Sequence, residues 1–203
     1  MPSSVLPMLA TKVGAPFSRV GWLFEPKWDG YRAICFLRNG QVRFTSRNQR
    51  DLTKRFPELQ SIAKSIKAST AVIDGEIVAL DENGAQCFDQ LQNRKPACAI
   101  IYFAFDLMFL DGQSLNELTL LQRKAQLKRI LPKSLTGRIR FTDHVVERGL
   151  DLFAALEVQQ FEGMVAKRAD SLYVPGRSKE WLKVKTRAGR EEMKKRIETW
   201  GHG

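Results

Sequence analysis

The segment Tyr31-Arg32-Ala33-Ile34-Cys35-Phe36-Leu37-Arg38-Asn39-Gly40-Gln41-Val42-Arg43-Phe44-Thr45 reads as two strands joined by a tight turn. Both central residues of a type I′ turn need positive φ, and Asn-Gly supplies them at low cost, so 31–38 and 41–45 are expected to form an antiparallel hairpin. Working outward, 71–80 (AVIDGEIVAL) and 100–110 (IIYFAFDLMFL) are rich in β-branched and aromatic residues and suggest a second strand pair. The turn-like DENG at 81–84 and a polar stretch separate them. Shorter strand candidates are 139–145, 163–168 and 181–185.

Helical patterns lie between the strands. Pro57 at a first helical position leads into Leu59, Ile62, Ala63 and Ile66, an amphipathic stripe. Thr119 can cap a helix over 120–131 that sends Leu120, Leu127, Ile130 and Leu131 to the core. Arg123, Lys124 and Lys128 are expected to stay outside as a solvated face rather than a DNA groove. A third helix is expected near 150–160. Strands and helices mix without regular βαβ alternation, so the fold class is α+β, with antiparallel sheets flanked by helices.

The chain has 203 residues, 43% of them hydrophobic, enough for one core and hence one domain, or one with a small appendage. Lys and Arg number 33 against 22 Asp and Glu, a net charge of +11, which suits a polyanionic partner without naming it. Cys35, Cys87 and Cys98 are odd in number and lack CxxC spacing, which points to reduced, mostly buried thiols in a cytosolic protein, without a disulfide framework or zinc site. The longest apolar stretch, Ala97 to Phe105, is too short for a membrane span, and the N-terminus lacks the pattern of a signal peptide. A cytoplasmic protein with no membrane partner is expected.

The chemistry-bearing segment is Glu25-Pro26-Lys27-Trp28-Asp29-Gly30-Tyr31-Arg32. Its Lys-x-Asp-Gly pattern is common by chance and by itself reads as a strand ending in a polar turn. Five further segments follow in order: Ser46-Arg47-Asn48, Asp74-Gly75-Glu76, Phe105-Asp106, Glu162 to Lys167 (EGMVAK) and Trp181 to Lys185 (WLKVK). Together they resemble the motif set of the covalent nucleotidyltransferases, the superfamily of DNA ligases, RNA ligases and mRNA capping enzymes. The resemblance spans roughly residues 8–186. It is strongest to the ligase domain of bacterial end-joining DNA ligases, in EPKWDGYR, DGEIVALDENG, FDLMFLDG and EGMVAKRADSLYVPGRSKEWLKVK.

That resemblance implies the nucleotidyltransferase, ATP-grasp-like fold of the DNA ligase superfamily over 1–186, with 187–203 as a helical tail. It implies an ATP-dependent DNA ligase in which Lys27 attacks the α-phosphate of ATP, pyrophosphate leaves, and AMP stays on the lysine as a phosphoramidate. AMP then passes to the 5′-phosphate of nicked double-stranded DNA, and the 3′-OH seals the nick in DNA repair and recombination. An ordinary lysine, with a pKa of about 10.4, is nearly all protonated at neutral pH, so the site must favour the neutral amine. By the same resemblance Lys183 and Lys185 contact the AMP phosphate and disfavour a charged Lys27. Strand alternation puts both on one face, with Leu182 and Val184 toward the core.

Glu76 and Glu162 match the metal-associated glutamates for Mg²⁺ or Mn²⁺. Asp29 would organise the lysine loop, Glu25 would read the adenine edge, and Phe105 would stack on the base. Lys167 and Arg32 would contact nucleotide phosphate or ribose, and Arg47 would engage the sugar, the phosphate or the nick phosphate.

Each residue also has an ordinary structural role open to it. Glu76 could be a solvent-facing strand residue, Phe105 a core aromatic, and Lys183 and Lys185 the polar side of any amphipathic strand. His144, in FTDHV, has no partner spacing for a metal and is read as structural. Ligases of this type continue into an OB-fold domain, whereas Thr186 to Gly203 is too short for one and Ala188 to Gly203 reads as one charged helix. The expectation is a naturally minimal adenylation domain, acting as a monomer, in competition with an excerpt of a longer ligase or a chain served by a separate protein supplying the OB-type surface. A nucleotide- or nick-binding module without self-adenylation, an RNA ligase and a capping-type enzyme remain as alternatives.

Overall fold

Asn39 (φ 51°) and Gly40 (φ 70°) close the expected hairpin in the computed structural model, which describes residues 1–93, 98–134 and 136–200. Ala97, which opens the apolar stretch, and 201–203 of the tail lie outside the described residues. The turn sets the register of β3 (Tyr31–Arg38) against β4 (Gln41–Ser46), with Arg38 opposite Gln41 and Cys35 opposite Phe44. β3 also pairs antiparallel with β5 (Thr70–Leu80), and β5 with β6 (Ala99–Leu110), as the second expected pair. β7 (Gln113–Ser114) and β8 (Ile139–Phe141) complete this sheet, β8 running parallel to β6.

The chain forms two compact units. The first comprises Met1–Leu9, Asp29–Asp143 and Asp170–Gly176. Alternation sends Ala33, Cys35 and Leu37 of β3, Ala71, Ile73 and Ile77 of β5, and Tyr102 and Ala104 of β6 into its main core. The opposite face of β3 and β5 carries Arg32, Asp74 and Glu76, with Arg32 directly opposite Glu76. β6 holds extra residues relative to β5 at two register shifts, and one of them falls at Phe105.

Two expectations for the helices need correction. Pro57–Ser65 is wound as a 3-10 helix, although Leu59, Ile62 and Ala63 are buried as expected. α1 (Phe88–Asn93) is a short helix that the sequence pattern did not announce, and α2 (Leu120–Ile130) is capped by Thr119 through a reciprocal capping box with Gln122.

Arg123 and Lys124 are not outside: both are buried within α2. The reason is positional, since 120, 123, 124 and 127 form one i, i+3, i+4, i+7 stripe, whatever the residue types. Arg123 forms a two-point ion pair with buried Asp106 at 2.8 and 2.9 Å, and Lys124 donates to the Thr142 carbonyl at 3.0 Å. Lys128 alone of the three is exposed.

The second unit comprises Ala10–Trp28, His144–Ala169 and the chain from Arg177 on. Its sheet has the order β1 (Met8–Lys12), β11 (Gly176–Lys185), β10 (Gly163–Arg168), β2 (Trp22–Lys27), β9 (Val145–Val146). The single strand expected over 139–145 is divided between β8 and β9, in different sheets, and His144 lies between them outside either strand. α3 (Gly149–Val158) covers one face, where Trp22, Phe24, Met164, Ala166, Val184 and Leu156 form a core. α4 (Arg187–Trp200) follows β11. Cys35 is buried, while Cys87 and Cys98 are half-buried, and all three are free thiols.

Candidate active site

The face of the second sheet turned away from α3 is built by register. Glu25 of β2 stands opposite Val165 of β10, which stands opposite Lys183 of β11; Lys27 is likewise aligned with Gly163 and Lys185. Residues directly opposite on antiparallel strands project to the same side, so Glu25, Lys27, Lys167, Trp181, Lys183 and Lys185 share one face. Val184 belongs to the core behind them and Leu182 packs against it, as the alternation of WLKVK predicts.

Glu162, immediately before β10, joins this face. Its carboxylate accepts a hydrogen bond from Lys27 Nζ on Oε2, and Lys185 Nζ lies 2.9 Å from Oε1. Gly163 between the two lysine-bearing strands cannot carry a side chain, since a Cβ would fall 2.2 Å from the Val184 carbonyl oxygen. Burial alone would push the Glu162 carboxyl up, but the ammonium groups of Lys27 and Lys185 outweigh it and hold the carboxyl below its usual range.

Deeper on the same face, Lys167 Nζ is 2.6 Å from Glu25 Oε2, and both side chains are 2% exposed. The Lys167 ammonium also lies 4.2 Å from the Trp181 ring centroid. Desolvating two charges costs about as much as their attraction returns, so stability alone does not explain this pair. The pair shares its face with Lys27, Lys183 and Lys185.

The remaining candidates belong to the first unit. Arg32 donates to Asp74 through Nε at 2.5 Å and Nη2 at 2.6 Å, and to the Met8 carbonyl at 3.1 Å. Burial disfavours the Arg32 charge, and the adjoining Asp74 carboxylate more than restores it. The Tyr173 hydroxyl donates to Asp74 Oδ2 at 2.6 Å and accepts from Met8 N at 3.0 Å, closing a ring of hydrogen bonds. Phe105 is buried, with the Arg32 guanidinium 4.6 Å from its ring centroid. Glu76 is half-buried on β5, Arg47 is exposed in the turn after β4, and the Asp29 amide donates to Gln86 Oε1 at 2.7 Å.

Sequence reasoning missed several of these partners. Asp74 carried a visible signal, a carboxylate inside the apolar run VIDGEIV; Tyr173 and Trp181, each inside a quoted segment, carried none that separates them from core aromatics.

Comparison with known proteins decides the family. The family model for the ATP dependent DNA ligase domain matches residues 7–185. The chain belongs to that family. This ligase domain is 38% identical over 188 residues to the multifunctional non-homologous end joining protein LigD of Mycolicibacterium smegmatis, covering 91% of the chain and 24% of that protein. It thus spans about a quarter of the length of such relatives. The ligase domain of Mycobacterium tuberculosis LigD has the same fold, with a TM-score of 0.77 at 34% identity over 89% of this chain and 59% of that one. A mycobacterial DNA ligase D solved in complex with ATP and MES matches equally well, with a TM-score of 0.77 at 34% identity over 89% of this chain and 60% of that one. The expected α+β nucleotidyltransferase fold of the DNA ligases is therefore the fold of this ligase domain.

Proposed function

We propose that this ligase domain reacts with ATP to form a covalent adenylate on Lys27, for transfer to the 5′-phosphate of a nick in duplex DNA. The observation that carries the reading is the arrangement around Glu162, where one carboxylate is shared by the Lys27 and Lys185 ammonium groups on a single sheet face. The Lys27 ammonium first gives up one proton to solvent, and the neutral amine then supplies the electron pair for a new bond to the α-phosphorus as the bond to the leaving pyrophosphate breaks. Loss of a second proton from that nitrogen to solvent completes the phosphoramidate, and Glu162, already hydrogen-bonded to the nitrogen, orients it for the attack. Lys183 and Lys185 neutralise the phosphate oxygens as they gain charge.

In the buried pair of Glu25 and Lys167, Glu25 would read the adenine edge by accepting from its exocyclic amino group, and Lys167 would contact nucleotide phosphate or ribose. In the first unit Arg32, pinned by Asp74, and Phe105 would engage ribose and base, while Arg47, exposed in the turn after β4, would engage a phosphate. Asp29 would hold the lysine loop through its backbone. Residues 1–186 would make up the nucleotidyltransferase domain and the helix beyond them its tail.

Glu76 and Glu162 offer hard carboxylate oxygens, the donor chemistry that suits Mg²⁺ or Mn²⁺. Among the described residues no cluster of three His, Cys, Asp or Glu side chains forms a ready-made metal cage. Mg²⁺ usually binds through one or two carboxylates together with substrate phosphates and water. Such an ion would supply charge neutralisation at the phosphates. Nicked duplex DNA is the proposed macromolecular partner, in keeping with the net charge of +11, and the proposed setting is a monomer in the cytoplasm. Among the described residues no helix is long and apolar enough to cross a membrane.

The test follows label from ATP. Incubation with α-labelled ATP and Mg²⁺ or Mn²⁺ is expected to give labelled protein, and a chase with nicked DNA is expected to move the label onto the 5′-phosphate. Protein that never labels with either metal would overturn the reading.

A further inference from the structure

Glu162 belongs to no strand, yet its carboxylate has to sit between two lysines, so something must hold its backbone. The structure assigns that task to residues just beyond the segment matched by the family model. The Thr186 side chain is fully buried. Its amide donates to the Glu162 carbonyl at 3.2 Å, its hydroxyl donates to the Phe161 carbonyl, and the same oxygen accepts from the Gly189 amide at 3.2 Å. Thr186 is thereby the N-cap of α4, with its hydroxyl tied to the chain entering Glu162.

Gly189 closes the grip. A Cβ there would lie 1.9 Å from the Glu162 carbonyl oxygen, 2.7 Å from its carbonyl carbon and 3.0 Å from its Cα. These are backbone atoms, which cannot swing aside as a flexible side chain would. The Arg187 amide adds an anchor on Glu157 Oε1 at 2.8 Å, and Lys185 Nζ reaches the Gly189 carbonyl at 3.4 Å.

We propose that the turn Thr186–Gly189 at the head of α4 is a positioning element of the active site, fixing the Glu162 backbone and so placing its carboxylate between Lys27 and Lys185. The inference rests on the reading of Lys27 and Glu162 given above. It changes the standing of the turn at the head of α4 from the start of an appended tail to a positioning part of the active site, although none of its residues is proposed to touch substrate. Any side chain at 189 must displace the Glu162 backbone by about 1 Å, and displacements of that size cost on the order of a hundredfold in rate when they disturb a reacting geometry.

The test compares Gly189→Ala, Thr186→Val and Thr186→Ser with the parent chain, and takes Lys194→Ala, an exposed change on α4, as control. Three quantities are read: the maximal rate of covalent labelling by ATP, the KM for ATP, and Mn²⁺ affinity by electron paramagnetic resonance in the presence of α,β-methylene-ATP, which cannot adenylate the lysine. Gly189→Ala and Thr186→Val are expected to lose about tenfold to a hundredfold in maximal rate, with KM within about twofold and weaker Mn²⁺ binding. Thr186→Ser, which keeps the hydroxyl, and Lys194→Ala are expected to match the parent.

If Gly189→Ala does not fold, the Thr186 pair decides the matter. Thr186→Val labelling like the parent, a loss matched by Thr186→Ser, or a change confined to KM would each overturn the positioning role. Those results leave the parent labelling normally; failure of the parent itself to label would instead sink the functional reading, and the positioning role with it.

Discussion

Arg123 and Asp106 form a two-point ion pair in which neither side chain is exposed to solvent. Arg123 spends further donors on the Leu118 and Ser171 carbonyls, at 2.6 and 2.9 Å, so one guanidinium links α2, β6 and the segment at 170–176. Removing one partner strands a charge in the interior, and Asp106→Asn or Arg123→Met should each cost about 3–5 kcal/mol in urea unfolding. Replacing both, as Arg123→Met with Asp106→Leu, should recover most of that loss. Single variants within about 1 kcal/mol of the parent would contradict the account.

Tyr173 is buried against Asp74, and burial, reinforced by that carboxylate, raises its hydroxyl well above the usual value of 10.0. A raised folded-state value means the folded chain holds the proton more tightly than the unfolded one. The contribution is therefore complete below about pH 10 and lost as pH rises beyond it. Tyr173→Phe should cost about 1–3 kcal/mol at neutral pH, because Asp74 loses a donor. The variant should also show a shallower loss of stability between neutral and strongly alkaline pH, measured by unfolding at a series of pH values. An unchanged alkaline slope would count against the assignment.

Lys185 stands 2.9 Å from Glu162 on the face that carries Lys27. In its proposed role as a donor to phosphate oxygens that gain charge during the reaction, it should contribute to the rate more than to nucleotide binding. Lys185→Ala is expected to slow self-adenylation by about 10²–10³ with little change in KM, followed by the time course of labelling at saturating ATP. A rise in KM with an unaffected maximal rate would assign it to binding alone.

With a net charge of +11, the proposed affinity for nicked DNA should be carried largely by phosphate neutralisation. Binding measured by fluorescence anisotropy should fall linearly in log K against log salt, and six to ten phosphate contacts would lower it about 10³–10⁵-fold between 50 and 200 mM. A flat salt dependence would remove DNA as the polyanion.

The hairpin at Asn39-Gly40, the second strand pair and the shared face of Lys183 and Lys185 were legible in the sequence, because each follows from local backbone geometry or from a period of two. Arg123 and Lys124 were misplaced because residue type was allowed to override position: the stripe at 120, 123, 124 and 127 already pointed inward. The division of 139–145 between two sheets was not legible, since FTDHV shows no break that separates a strand end from a continuing strand. Glu162 as the partner of Lys27 is invisible to pattern reading, because 135 positions separate the two and only the β2–β10 register brings them together. The grip of Gly189 on Glu162 is of the same kind, a glycine inside a helical pattern whose necessity lies in another part of the chain.

The most direct measurement of the central claim is the site of the adenylate. After reaction with ATP and a divalent metal, peptide mass spectrometry of the intact chain should find one AMP per molecule on Lys27, and Lys27→Ala should carry none. AMP on a different residue, or equal labelling of Lys27→Ala, would contradict the account.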